Sequence, residues 1–418
     1  MGSNMEEQKE QENKSNIGKE DDSGCKKKID DIISTIKPQM ILEYCYGIYR
    51  FQHIDGELCP PNWKMKTFGT CVILVYCAVF FSFFKYPGSV NNTSAFVDAM
   101  DEFPSLVVLI QYFAATITAS FFVNSINFRI FNSFAEVDTM LQVETFGDFY
   151  KRLRSTLNKA LIFLFVSHVI NGVVDMLSVT DVEWGITLFP LYFIQKIEVF
   201  IFCAYVAMVS SRLKLINIYL KTFIQEQDKK NITVFTVKYK KIETEKTFNF
   251  IGRPSQRNTK IKDLATIYDN IGDICSMINE VFNFQIFMTL VSTFVYILTA
   301  IWTSLYFYKT PEYKASQLIN VAAWCFSTIC NVAFMSFVCE RLLLIRNETK
   351  ILVNQITMNY DLPNTMRVQA KAFMELVEAW PLRFFIYDMF SIDITLMLKF
   401  ISVATTYLIV IIQISHFI

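Results

Sequence analysis

Glycine is scarce in this 418-residue chain, with 12 copies, and histidine is rarer, with three. The scarcity excludes chemistry. There is no Gly-rich phosphate loop, no HExxH pair and no Walker sequence. Carboxylates do not cluster at metal-ligand spacing, and His53, His168 and His416 lie far apart. No metal, no cofactor and no enzymatic activity is expected. Neither sign of charge is in excess, since Lys plus Arg is 39 and Asp plus Glu is 39. A nucleic-acid partner would need a basic surplus and is not expected. No Cys-x-x-Cys pair exists among the ten cysteines, which read as small core hydrophobes rather than disulfides or ligands. The N-terminal residues are polar and contain no apolar stretch of signal-peptide type, and Glu6 stands where a myristoylation signal has Ser or Thr. Neither a cleaved leader nor lipidation is expected.

Charge itself is in short supply. Charged residues are 19% and hydrophobic residues 53% of the chain, against about 25% and 45–50% in soluble domains. The deficit is concentrated in runs. Thr67–Phe84 is uncharged for 18 residues, Pro104–Phe128 for 25, Val281–Tyr308 for 28, Ala315–Cys339 for 25 and Phe400–Ile418 for 19. A helix crosses the bilayer core in about 20 apolar residues, so these are five spans. Two further stretches are interrupted. Ala160–Val174 is uncharged for 15 residues and extends to Thr180 past Asp175, and Trp184–Ser211 contains only Lys196 and Glu198. Alone, each reads as a buried soluble helix; flanked by five clear spans, both read as transmembrane helices. The fold class is all-α, a seven-transmembrane helix bundle.

The basic residues orient it. Alternate connecting segments hold 35 Lys and Arg on one side and 3 on the other. By the positive-inside rule the N-terminus is cytosolic and the C-terminus extracellular. That is the inverse of a G-protein-coupled receptor. Residues 1–35 are expected to be a disordered cytosolic segment, 36–225 helices one to four, 226–260 a flexible cytosolic loop, and 261–418 helices five to seven. Asn91 and Asn92 head overlapping glycosylation sequons in the first outer loop, whereas those at Asn13, Asn231 and Asn347 fall inside and should go unused. No internal repeat or Gly/Pro-broken span of transporter type is present. Leu264, Ile267, Ile271, Ile274, Ile278 and Val281 recur at helical spacing and predict a cytosolic extension of the fifth helix. Glu340–Met358 extends the sixth in the same way, and Arg367–Phe390 reads as a further amphipathic helix. Their apolar stripes suit subunit packing below the membrane, or packing within one chain or along lipid headgroups.

The last span contains Thr406-Tyr407, five aliphatic residues, then Gln413 and Ile414. It resembles the TY-x5-QF ending of the insect gustatory receptor family, with Ile414 in place of Phe. Phe385, Phe390, Ile392, Asp393 and Leu396, and the run Arg212, Leu213, Leu215 and Ile216, are similar to that family too. The resemblance implies a tetrameric, ligand-gated cation channel in the plasma membrane of a sensory dendrite, homotetrameric or mixed with related receptors, with the seventh helix lining the pore. Its ligand would be a small non-volatile tastant, and monovalent and divalent cations would permeate. On that reading Gln413, Ile409, Ile412, Thr406 and Tyr407 form the pore and gate. A carboxamide facing lipid costs free energy, whereas four around an axis can wet an aliphatic constriction. Leu408 stands where the sugar-receptor branch often carries Glu, which argues against that branch; fructose-type and bitter-type members both carry an aliphatic residue there, and a bitter or plant compound is preferred because that group is the larger. A fructose- or sugar-type channel, and an inverted receptor or transporter that does not conduct, are the alternatives.

Polar groups within spans are candidates for ligand contact. His168, Asn171 and Asp175 share a face of the third helix within about 60°. Tyr192, Gln195 and Glu198 form a stripe on the fourth. Trp302, Tyr306, Gln317 and Trp324 lie at similar depth on the fifth and sixth. Aromatic faces with scattered hydrogen-bonding groups suit a small organic ligand, but Trp and Tyr also favour membrane interfaces. Lys196 alone in the span would cost about 2.5–3.5 kcal/mol, and pairing with Glu198 or Asp175 would relieve that.

Overall fold

The computed structural model describes residues 26–54, 56–84, 95–178, 182–235, 260–308 and 315–417. Helix α1 covers 26–45. A short hairpin follows, β1 (Gln52–Ile54) pairing antiparallel with β2 (Glu57–Cys59). Then come α2 (Trp63–Phe84), α3 (Ala95–Ile117), α4 (Asn124–Met140), α5 (Phe149–Ser178), α6 (Val182–Phe235), α7 (Lys260–Tyr308), α8 (Ala315–Met358) and α9 (Asn364–Ala379). A second hairpin, β3 (Phe385–Ile386) with β4 (Phe390–Ser391), leads into α10 (Ile394–Phe417).

Among the described residues six helices are long and apolar enough to span a membrane: α2, α3, α5, α6, α7 and α8. Helix α10 contributes a seventh apolar segment, Ile394–Val410. The bundle is therefore all-α with multiple transmembrane helices, as the uncharged runs predict. The two interrupted runs, α5 and α6, are continuous helices despite Asp175, Lys196 and Glu198.

Helix α6 is the axis of the bundle. Every residue from Leu191 to Val206 is buried, and α6 packs against α8, α7, α5 and α3. Apart from Gln195, Lys196 and Glu198, which find polar or aromatic partners inside the bundle, this stretch is apolar all round and takes the centre. Further along α6 is Arg212, which is fully buried and grips Asp138 of α4 bidentately, Nε to Oδ1 at 2.8 Å and Nη2 to Oδ2 at 2.6 Å. Tyr150 donates to the same carboxylate at 2.6 Å, and Phe134 stacks under the guanidinium. Paired in this way, neither charge is left alone in the core.

The structure corrects three sequence expectations. Residues 26–35 belong to α1 rather than to a disordered segment, because Ile29, Ile32, Ile33, Ile36 and Met40 form one helical stripe that is buried against the bundle. The second span does not stop at Phe128. A π turn at Thr118–Phe122 interrupts it, Asn124 donates to the Ser120 carbonyl at 2.8 Å, and the helix resumes as α4 to Met140. The amphipathic helix expected to reach Phe390 ends at Ala379. Pro381 forces Trp380 into an extended conformation (φ −102°, ψ 93°), and the chain leaves as strand. Helices α7 and α8 do run without a break into their extensions.

Candidate functional site

The pore candidates lie on α10, and the start of that helix is built with care. Asn279 and Asn283, one turn apart on α7, accept hydrogen bonds from the Phe385 and Tyr387 amides at 2.9 and 2.8 Å, which holds the β3–β4 hairpin against α7. The hairpin turns through positive φ at Tyr387 (47°) and Asp388 (58°). Asp393 then caps α10: its Oδ1 accepts the Thr395 amide at 2.9 Å and the Leu396 amide at 3.2 Å, and its Oδ2 accepts Ser391 Oγ at 2.7 Å. Burial raises the carboxyl pKa, but the Thr395 and Ser391 hydroxyls and these amides outweigh it and hold the group below its ordinary value. Most of the described surface of the helix beyond Phe400 is exposed within the single chain. Tyr407 is 49% and Ile409 52% exposed, and Thr406 and Gln413 are exposed as well. The Ile412 side chain lies outside the described residues. Phe294 of α7 packs on the Tyr407 ring at 5.6 Å, and the Thr406 hydroxyl donates to the Ser402 carbonyl of its own helix at 2.9 Å.

Four of the ten ligand candidates converge. His168 of α5 stacks on Phe193 with ring centroids 5.0 Å apart and meets Phe189 at 4.2 Å and Trp324 at 5.9 Å. Tyr192 touches both Trp324 (5.3 Å) and Tyr296 (5.9 Å), and its hydroxyl is 3.2 Å from Ser105 Oγ. Asp175 accepts from Asn320 of α8 at 2.7 Å, joining the same two helices. The cluster thus ties α5, α6, α7 and α8. The Phe189 carbonyl can only accept, so His168 Nε2, 3.0 Å away, carries the hydrogen. In the neutral ring Nδ1 is then an acceptor. It is buried and has no partner among the described residues, and the same holds for Asn320 Oδ1. Two unused acceptors in an aromatic surround can receive a ligand hydroxyl or amine. Asn171 is buried on the same face of α5 as His168.

The remaining candidates fall elsewhere. Glu198 is bonded to Arg50 Nη2 at 2.7 Å, and Arg50 Nε reaches Glu43 at 2.7 Å, so Glu198 belongs to a buried ion cluster and faces no ligand space. Gln195 donates to Gln111 Oε1 at 3.1 Å and to Ser292 Oγ at 2.5 Å, within a polar layer that Thr289 completes. The space beside Gln195 and Glu198 is about 10 Å³, too small for an organic molecule. Lys196 pairs with neither Glu198 nor Asp175. It donates to Ser327 Oγ at 2.7 Å and sits 5.2 Å above the Trp324 ring. Trp302 Nε1 is buried without a partner among the described residues, and no described contact joins it to the His168 cluster. The side chains of Tyr306 and Gln317, and residues Asn91 and Asn92, lie outside the described residues.

Sequence reasoning missed Phe189, Phe193, Tyr296, Ser327 and Asn320. Phe189 and Phe193 are one turn apart, and that spacing was the available signal; which ring His168 meets depends on how α5 crosses α6. A cavity of about 1030 Å³ is lined by none of the ten candidates and lies toward the other end of α5 and α6.

No curated protein sequence matches the chain. Among solved structures it is similar to the insect olfactory receptor OR5 from Machilis hrabei, at 10% identity and a TM-score of 0.62, over 93% of this chain and 100% of that one. The same receptor in complex with eugenol matches at 10% identity and 0.62, over 91% and 97%. Those likenesses establish the fold. The sequence profile described as 7tm Chemosensory receptor matches residues 38–416, nearly the whole chain, so the protein belongs to the 7tm chemosensory receptor family of multi-pass membrane receptors and is not an enzyme.

Proposed function

We propose that this receptor is a ligand-gated, non-selective cation channel opened by a small non-volatile tastant, a bitter or plant compound in preference to a sugar. The observation that carries the reading is α10. It is an apolar helix with an exposed side bearing Thr406, Ile409 and Gln413, capped at its start by Asp393 and packed against α7 and α8. Four copies around an axis bring those sides together and leave Gln413 as the polar element of an aliphatic constriction. A homotetramer, or a tetramer shared with related receptors, supplies the missing cover.

Small-molecule gating is supported by the aromatic cluster around His168 and Trp324, with its unused acceptors. The olfactory receptor of the same fold in complex with eugenol is a precedent for a ligand of that size. The preference against sugars rests on Leu408 alone. The test is ligand-evoked current in cells given the receptor without added G proteins. Inward current at negative potential, altered in Gln413→Ala, is expected. Silence across a broad panel of bitter compounds and sugars, with the receptor demonstrated at the plasma membrane, would overturn the reading.

A further inference from the structure

The 1030 Å³ cavity lies between α5, α6 and α8, away from both the pore helix and the His168 cluster. Its floor on α6 is a row of small residues, Cys203, Ala204, Ala207, Ser210 and Ser211. Phe334 and Phe337 of α8 and Leu153 and Leu157 of α5 form its walls. Phe334 and Phe337 are themselves exposed, so the cavity opens sideways toward the lipid.

Three basic side chains stand at one end: Arg152 of α5, Lys214 of α6 and Arg341 of α8, all exposed. They share one depth. Measured along each helix at about 1.5 Å per residue, Arg152 lies roughly 39 Å from Ser178, Lys214 roughly 43 Å from Gly185 and Arg341 roughly 39 Å from Ala315. A bilayer with its headgroups is about 40–45 Å thick, so all three meet the headgroup layer of the leaflet opposite those helix ends. The distribution of Lys and Arg makes that the cytosolic leaflet. Among the described residues none of the three has an ion-pair partner. Glu348, whose charge acts on Lys214, is taken by Lys221 at 2.5 Å and Asn217 at 3.0 Å. Asp148 is the one carboxylate lining the cavity.

An apolar trough open to the bilayer, with three unpaired cations at headgroup height, fits one chemistry. We propose that an anionic phospholipid of the cytosolic leaflet occupies this cavity, its phosphate held by Arg152, Lys214 and Arg341 and an acyl chain laid along Phe334, Phe337 and the small-residue floor of α6. The lipid bridges the inner ends of three helices whose outer ends carry the His168 cluster. The proposal needs the orientation in the membrane, not conduction, so it stands or falls independently of channel activity.

Photolabelling of the full-length receptor tests it. The receptor is reconstituted in phosphatidylcholine vesicles containing a small fraction of phosphatidylserine with a photoactivatable acyl chain, and in matched vesicles where the probe is phosphatidylcholine. Peptides covering 200–211 and 334–341 should be labelled by the serine lipid at least about fivefold more than by the choline lipid, the value of one basic side chain at an anionic surface. The variant Arg152→Gln/Lys214→Gln/Arg341→Gln should bring the two probes level. Ala207→Leu, with the charges intact, should reduce labelling by both. Equal labelling of the wild type by the two probes would mean bulk lipid in an apolar groove and would overturn the proposal, as would serine-lipid labelling unchanged in the triple variant. The wild-type comparison decides the matter even where a variant does not reach the membrane.

Discussion

Arg50 donates to Glu198 Oε2 at 2.7 Å, joining the segment just before β1 to the middle of α6 across 148 residues of sequence. Glu43 accepts from the same guanidinium at 2.7 Å, and all three side chains are buried. Phe282 lies 4.8 Å from the guanidinium carbon. The cluster anchors α1 and its hairpin to the central helix. It also explains why an acid is tolerated in a span: the charge is spent on Arg50, not on a ligand.

Arg50→Met should leave two buried carboxylates without their partner and cost about 3–5 kcal/mol. Glu198→Gln, which keeps an acceptor for Arg50, should cost clearly less. Thermal melts of the purified receptor check the order. A normal melt for Glu198→Gln together with a large shift in agonist sensitivity would return Glu198 to the ligand site.

Trp324→Ala removes the ring that His168, Tyr192 and Lys196 all touch. Aromatic contacts contribute about 0.5–1.5 kcal/mol each, so the activating concentration should rise by roughly tenfold or more. His168→Ala should act in the same direction. Concentration–response curves at matched surface expression are the measurement, and maximal current per channel should be unchanged.

Two glycines allow a comparison of ring against backbone. A Cβ on Gly172 would stand 2.5 Å from the Phe189 ring, which can rotate away. A Cβ on Gly69 would collide with the backbone carbonyl of Gly47, itself at φ 74°, and neither can yield. Gly172→Ala should therefore mainly alter ligand response, because Phe189 carries the carbonyl and ring that position His168. Gly69→Ala should mainly lower the amount of folded receptor. Surface labelling alongside concentration–response curves separates the two outcomes.

Gln413→Ala should change unitary conductance or open probability while leaving the binding of an activating compound intact. Gln413→Glu adds a ring of carboxylates and should favour divalent over monovalent cations. Single-channel recording and reversal potentials in mixed ions read both effects, and wild-type behaviour in both variants would remove Gln413 from the pore.

Asp393→Ala should cost about 1 kcal/mol through loss of the cap on α10, with Asp393→Asn milder. The sign of the pH effect follows from the depressed pKa. The cap contributes fully above the ordinary aspartate range and is lost as pH falls through the lower folded value. Wild-type stability should fall on strong acidification in a way that Asp393→Asn does not share, measured by thermal melts across acidic pH.

Legibility in the sequence divided along a physical line. The apolar spans, the extensions of α7 and α8 and the all-α class follow from local composition and periodicity, because a lipid-exposed helix needs nothing beyond its own residues. The end of α9 was equally local, since Pro381 marks it, and the stripe Ile29, Ile32, Ile33, Ile36 and Met40 in α1 was visible at helical spacing but masked by the charged residues around it. Among the site candidates, Thr406, Ile409 and Gln413 share an open side of α10 as their spacing allows.

What the sequence alone determined is thus most of the helical segments, and which few polar groups must find an answer inside the membrane. Only the tertiary structure decided which answer each received. Glu198 went to Arg50, Lys196 to Ser327 and Trp324, Asp175 to Asn320, and His168 to Phe189 and Phe193. The reason is that a buried charge selects its partner by distance after the helices have packed. Helix crossing angles and the π turn between α3 and α4 set those distances from contacts far apart in the chain.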